Sequence, residues 1–399
     1  MLATPRQIAF EAPQAVRETL ASLGRTEDVR LSPSRRRVAI ACYAREAIAV
    51  GDIVLAASPD GPTVALTRLD VLHSPLLREP HGLDWLDDDT LVVANRVGHV
   101  ASLRLAGDEL VAVSSVPVSS PGSVALRRAA DGCQEVLVCG NWQNVITTFE
   151  LDGCGMLAGG TTRLRRRLDL PDGVAVGATG RWLAVSNHNT HSILVFDAET
   201  AGEGAEPVAV LRGVDYPHGL RFATDDRQLV VADAGAPNVH VFATSGANWA
   251  IGAAYPAATL RVLDEPTFAR GHRSLVEGGP KGLDLDSGTG VLLVTCEELP
   301  LGAFAVSDIL ARPERFGTDA DALLRHELAA LSSAEAEREA TAATRAQLTA
   351  IHAQLTEITG TKAWRLTAPA RRLHAVLRAV RRRRAGHADL APGTSPISD

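Results

Sequence analysis

Glu79-Pro-His-Gly-Leu-Asp84, followed by the strand Leu91-Val-Val-Ala-Asn-Arg96, is the stretch on which the fold turns. A proline and a glycine bracket one variable polar position. An apolar strand follows, then a polar turn, and then a β-branched strand that closes on a polar residue. The same phrase returns as Ser120-Pro-Gly-Ser-Val-Ala with VLVCGN, Leu170-Pro-Asp-Gly-Val-Ala with WLAVSN, Tyr216-Pro-His-Gly-Leu-Arg with LVVADA, and Gly279-Pro-Lys-Gly-Leu-Asp with LLVTCE. A degenerate copy, Leu31-Ser-Pro-Ser with VAIACY, precedes them. The leading prolines Pro33, Pro80, Pro121, Pro171, Pro217 and Pro280 are separated by 47, 41, 50, 46 and 63 residues, a period that marks a repeat architecture.

Each copy carries a third alternating strand, such as His99–Leu105 or Ser192–Phe196, so one repeat makes one small twisted sheet. Such a sheet cannot bury both faces alone, and radial stacking around an axis solves the problem. The expectation is an all-β, six-bladed β-propeller over residues 29–318, preceded by an N-terminal helical segment (1–28, with the helix near Pro13 to Leu23). A helical stalk (319–360), a basic amphipathic helix (361–385) and a disordered tail (386–399) would follow.

These repeats resemble those of the NHL, SMP-30/gluconolactonase and TolB-like propellers, which host hydrolases, lyases and binding modules alike. Aligning the copies gives two rings of polar residues expected at one channel mouth. After the proline come His81, Gly122, Asp172, His218 and Lys281; closing the second strand come Asn95, Asn141, Asn187, Asp233 and Glu297. Imidazole and carboxylate together suit Zn²⁺ or Mn²⁺, and amide with carboxylate oxygens suits Ca²⁺. His81, His218, Asn187, Asp233 and Glu297 are therefore the candidate ligands of one divalent cation. The SMP-30 resemblance implies a Glu, Asn and Asp metal set with its glutamate in the first blade, where only Arg and Ser surround Ser32-Pro33-Ser34. The competing structural reading is that Asn and Asp at strand ends hold turn backbone. Catalytic residues are not assigned, and GxSxG, P-loop, GxGxxG-helix and HExxH signatures are missing from the sequence.

With 46% hydrophobic and 22% charged residues, 34 Gly and 21 Pro, the composition is that of a turn-rich globular protein. Five cysteines without a CxxC pair read as reduced thiols. A cytoplasmic chain is expected, peripheral on the inner face of the membrane. The formal charge of −7 hides an asymmetry: Lys362 to Arg384 holds nine Lys/Arg and no Asp or Glu, which leaves −16 for everything else. From about Asp319 the pattern turns helical; Leu324, Leu328 and Leu331, and then Leu348, Ile351, Leu355 and Ile358, fall at coiled-coil spacing suited to a homo-oligomer. Trp364-Arg-Leu-Thr-Ala-Pro369, with Arg371 and Arg372, resembles a segment at the ends of bacterial glycosyltransferases and methyltransferases of surface-polysaccharide assembly. That resemblance implies a glycan or a glycan-assembly enzyme as partner. Trp364, Arg365, Arg371, Arg372, Arg378, Arg381, Arg382, Arg383 and Arg384 would dock to an anionic membrane surface or to a partner. Nucleic acid is not expected, because no base-reading motif accompanies the arginines and the body is acidic. Three functions stay open: a propeller of surface-polysaccharide biosynthesis, a metal-dependent SMP-30-like lactonase, or a non-catalytic scaffold.

Overall fold

The computed structural model describes residues 2–129, 131–311 and 320–360. It forms a six-bladed β-propeller, each blade a separate sheet of four or five strands. The innermost strands are Val29–Leu31, Pro80–Trp85, Pro121–Arg128, Pro171–Val176, Pro217–Phe222 and Pro280–Asp286. Each packs beside the next, and the last returns to the first, so the ring closes. Six apolar clusters fill the seams between blades. In one of them Ala39, Ile48 and Val50 of blade 1 meet Leu83, Leu91 and Val93 of blade 2.

The repeated glycine has a steric cause. A Cβ on Gly82 would stand 2.5 Å from the Ser123 Cα, and one on Gly219 would stand 2.6 Å from the Lys281 carbonyl oxygen. Neighbouring inner strands therefore approach backbone to backbone, which any larger residue would prevent.

Blade 6 draws three strands from residues 280–305 and takes its outer strand, Arg6–Gln7, from the start of the chain. Leu2–Ala3 runs parallel to Ala258–Arg261 on blade 5, and Phe10–Glu11 runs parallel to Thr63–His73 on blade 1. Residues 1–28 do contain a helix, Gln14–Ala21, whose Val16 enters the core between blades 6 and 1. The strands before it escaped the sequence pattern because two residues are too short to show alternation.

The C-terminal helix spans Ala320–Gly360. Its Leu328 and Leu331 join the apolar seam of blades 3 and 4, and Glu327 pairs with Arg212 (2.7 Å from Arg212 Nε). The segment from Ala334 onward is a separate compact unit, in which Leu348 and Ile351 are 61% and 51% exposed. The expected basic helix and tail, with Trp364 and the arginines from Arg365 to Arg384, lie outside the described residues.

Because blade 6 is completed by the N-terminus, removing residues 2–11 should lower the thermal unfolding midpoint and speed amide exchange in Gly302–Ala305, whose outer partner would be gone. An unchanged midpoint with unchanged exchange would show that ring closure does not depend on this strand.

Candidate functional site

The residue after each leading proline points into the hub, and the first blade supplies one that the sequence reading missed. Strand pairing sets Thr26-Glu27-Asp28-Val29 in register with Pro80-His81-Gly82-Leu83, since Ala41 bonds Asp28 as the second strand of blade 1. Pro33 instead belongs to the hairpin turn between the first two strands of that blade. The full ring is Glu27, His81, Gly122, Asp172, His218 and Lys281. Except at Gly122, these side chains are buried. A first-blade glutamate is therefore present, six residues before the proline on which the degenerate copy had been aligned.

The second ring separates into two. Asn95, Asn187 and Asp233 pair with the leading proline of their own blade and are used up by backbone. Asn95 Oδ1 accepts from Arg78 N (2.8 Å), and Asn187 Oδ1 accepts from Asp169 N (2.6 Å). Asp233 accepts from Asp215 N and Tyr216 N, both at 2.8 Å, and lies 3.0 Å from His240 Nε2. These residues staple the loop entering each blade, so the expected metal set is corrected: Asn187 and Asp233 have no free donor atom, and Glu297 sits apart, 3.4 Å from Arg25 and 3.6 Å from Arg273. The Glu, Asn and Asp metal set implied by the SMP-30 resemblance does not fit Asn187, Asp233 and Glu297. One residue further along come Tyr43, Arg96, Asn141, His188 and Glu297, and of these Arg96, Asn141 and His188 reach Asp172. Asn141 and Glu297 belong to this set, because the second strands of blades 3 and 6 end on Gly140 and Cys296.

At the hub, two carboxylates from opposite blades each anchor one oxygen and aim the other inward. Glu27 Oε1 takes Lys281 Nζ (3.1 Å) and Arg25. Its Oε2 is buried without a hydrogen bond, 3.5 Å from His81 Nε2 and 3.9 Å from His218 Nε2. Asp172 Oδ1 accepts from Asn141 Nδ2 (2.6 Å) and Arg96 Nη2 (2.9 Å). Its Oδ2 is likewise without a hydrogen bond, 3.0 Å from His218 Nε2 and 3.7 Å from His188 Nε2. Lys281 also pairs with Glu277 (3.0 Å), Arg25 stacks over Tyr43 and His188 stacks on Tyr216. His81 and His218 are stacked with ring centroids 5.2 Å apart.

The tautomer of His81 follows from its partner. Nδ1 lies 2.8 Å from the Gly122 carbonyl oxygen, which can only accept, so Nδ1 carries the proton and the Nε2 lone pair accepts from Arg96 Nη2 (3.2 Å), with Glu27 Oε2 3.5 Å away. Burial, reinforced by Arg96, pushes the His81 imidazolium down to about 3; burial pushes His188 down to about 4 against the pull of Asp172. Burial alone would raise Glu27, yet Lys281 and then His81 hold its carboxyl well below the usual range. Asp172 is also held low, by His218, His81 and Arg96 against its burial. The hub thus presents ionised carboxylates beside the neutral imidazoles of His81 and His188.

A second polar belt lies deeper in the channel and behaves differently. Asp28, Asp84 and Asp284 each accept the backbone N–H of a neighbouring blade, from Leu83 (3.1 Å), Leu126 (3.0 Å) and Leu31 (2.7 Å). Arg30 meets Asp28 (2.6 Å) and Arg221 meets Asp284 (2.9 Å). Every carboxylate of this belt has donors, as a structural strap requires.

Among the described residues, Glu27–His81–His218 and Asp172–His188–His218 each bring three ligand atoms within 4.8 Å of one another. Glu27, His81, Asp172 and His218 line one cavity of about 10 Å³, close to the volume that one water needs.

The chain is thus a six-bladed propeller with a buried His/carboxylate hub. Residues 3–140 match the family model of the lipoprotein LpqB β-propeller domain, over the N-terminal segment, blades 1 and 2 and half of blade 3. No curated protein matches the chain. A solved structure described as a candidate gluconolactonase superposes with a TM-score of 0.47 at 17% identity, covering 76% of this chain and 92% of its own. No described helix is long and apolar enough to cross a membrane.

The buried imidazoles set an acid limit on stability. An unfolded His takes up a proton near pH 6.5, whereas native His81 and His188 do so only near 3 and 4. Their contribution is therefore full above pH 6.5 and is lost as pH falls from there toward 3 to 4, at up to about 1.4 kcal/mol per pH unit for each. His81→Gln and His188→Gln should each flatten the dependence of unfolding free energy on pH between 6.5 and 4.5, as read by denaturant titration; slopes equal to wild type would contradict this assignment.

Proposed function

We propose that this protein is a metal-dependent hydrolase centred on the propeller hub, with Glu27 Oε2, His81 Nε2 and His218 Nε2 as the ligands of one divalent ion. The observation that carries the reading is an ionised, hydrogen-bond-free Glu27 oxygen 3.5 Å from the unprotonated Nε2 of His81 in a buried site. Arg96 Nη2 serves the His81 lone pair (3.2 Å), whereas no donor among the described residues serves Glu27 Oε2, so a cation beside it would supply the partner it lacks. Bonds of about 2.0–2.1 Å in a tetrahedral site put ligand atoms roughly 3.3–3.4 Å apart, close to the 3.5 and 3.9 Å seen here. Two imidazoles and one carboxylate form a donor set that leaves a coordination position open.

Three carboxylates (Glu27, Asp172 and Glu277) face three cations (Arg25, Arg96 and Lys281), so the hub is charge-balanced without an ion. When bound, such an ion polarises a carbonyl and acidifies its water. Asp172 Oδ2, next to His218 Nε2, is the acceptor for a proton released there, and Asn141 and Arg96 hold it in place through Oδ1. Tyr43, Arg25 and Tyr216 form the approach from the mouth. Lactones and simple esters are the substrates to screen, on the sequence resemblance to lactonase-type propellers. A setting in surface-polysaccharide assembly, on the membrane's inner face, rests on the Trp364–Pro369 string and the arginines beside it.

Elemental analysis of untagged protein purified without chelators should find one equivalent of Zn or Mn, the ions this imidazole and carboxylate set suits. Glu27→Gln and His218→Ala should lose it with secondary structure intact, while Asp233→Asn should keep it and be less stable. Native protein that neither carries nor takes up any of these ions would remove the hydrolase reading and leave the channel as a recognition platform.

A further inference from the structure

Arg96 stands where the ion's electrostatics would be least expected to tolerate it. Its Nη2 lies 3.2 Å from His81 Nε2 and 2.9 Å from Asp172 Oδ1. Because His81 Nδ1 donates to the Gly122 carbonyl, the Nε2 lone pair is the acceptor of the Arg96 hydrogen bond. That lone pair is also the one an ion would need. The other terminal nitrogen, Nη1, is buried without a partner, so the guanidinium is held by one of its two arms only. Its side chain keeps 23% of its surface exposed, against 5% for His81 and 1% for Asp172, which gives it a way out that its partners lack. The residue follows Asn95 at the start of a turn and is not inside a strand, so its side chain can change rotamer without breaking the ladder.

We propose that Arg96 is a resident counter-cation of the hub, occupying His81 Nε2 in the ion-free protein and leaving it when the ion binds. The proposal rests on the hydrolase reading for the ligand set, and goes beyond it by naming the residue that governs loading. In the ion-free protein the guanidinium fills the place of the missing charge between His81 and Asp172, which keeps the buried Asp172 carboxylate neutralised. The apparent affinity for an ion is then the intrinsic affinity reduced by the fraction of molecules in which Arg96 has already left. Asn141 holds Asp172 Oδ1 independently, so this carboxylate stays oriented after Arg96 departs.

Titration calorimetry with Zn²⁺ on metal-stripped wild type, Arg96→Met, Arg96→Gln and Arg25→Met tests the idea. Because Arg25 anchors the ligand Glu27, its variant reports loss of that support, and Arg273→Met is added as the charge control, since among the described residues Arg273 pairs only with Glu297 and Glu298 and is largely exposed. Both Arg96 variants should bind about tenfold more tightly or better, whereas Arg273→Met should shift by less than about threefold, as expected from a screened charge near the mouth. Equal tightening in Arg273→Met and Arg96→Met would reduce the effect to general electrostatics and overturn the proposal, as would unchanged or weaker binding in the Arg96 variants. Wild type and all variants failing to bind would instead bring down the hydrolase reading. Should Arg96→Met not fold, the comparison stands on Arg96→Gln, whose amide can still serve Asp172 but is too short to cover His81.

Discussion

Six inner strands crowd around one axis so tightly that there is no room for a Cβ where adjacent strands cross. That constraint explains the glycine repeated at Gly82, Gly173, Gly219 and Gly282, and through it the visibility of the whole fold. Close approach also brings the residue before each glycine to within reach of its counterparts in other blades. The hub chemistry follows from this packing: side chains from blades 1, 2, 4, 5 and 6 meet within a few ångströms, although they lie up to 254 residues apart along the chain.

Within that hub, the two polar belts show how similar residues serve different ends. In the deeper belt each aspartate spends one oxygen on a backbone N–H of the neighbouring blade and the other on the next N–H of its own strand, so charge is converted into a strap. In the upper belt Glu27 and Asp172 spend one oxygen on fixed cations or amides and leave the other facing imidazoles. Leaving a buried acceptor unmade is costly, and it happens twice around one small cavity. The side chains around it are set by their own outer partners, as the Gly122 carbonyl sets His81.

The fold could be read from the sequence because proline, glycine and β-branched residues act locally and recur. The site was legible only in part. His81, Asp172, His218 and Lys281 stood at a repeated position and do meet. Glu27 was hidden because blade 1 has Thr26-Glu27-Asp28 in place of Pro-x-Gly, and Pro33 offered a false register. Asn141 and Glu297 were placed in the same ring as Asn95 because one residue of strand length separates the copies, and such a shift turns a side chain from the loop to the channel. Arg96 and His188 adjoin residues that had been singled out; only the strand ends decide which of two neighbours faces inward.

Closure by the N-terminal segment has a consequence for how the protein is made. Arg6–Gln7 is synthesised before every blade but finds its partner, Gly302–Ala305, only after nearly the whole propeller has been made. Glu27 follows that segment directly, while Lys281, which holds its Oε1, belongs to the last blade. The hub is thus assembled from the earliest and latest parts of the ring at once. A truncated or half-folded chain has the individual hub side chains but not their constellation, which comes into being only when the circle is complete.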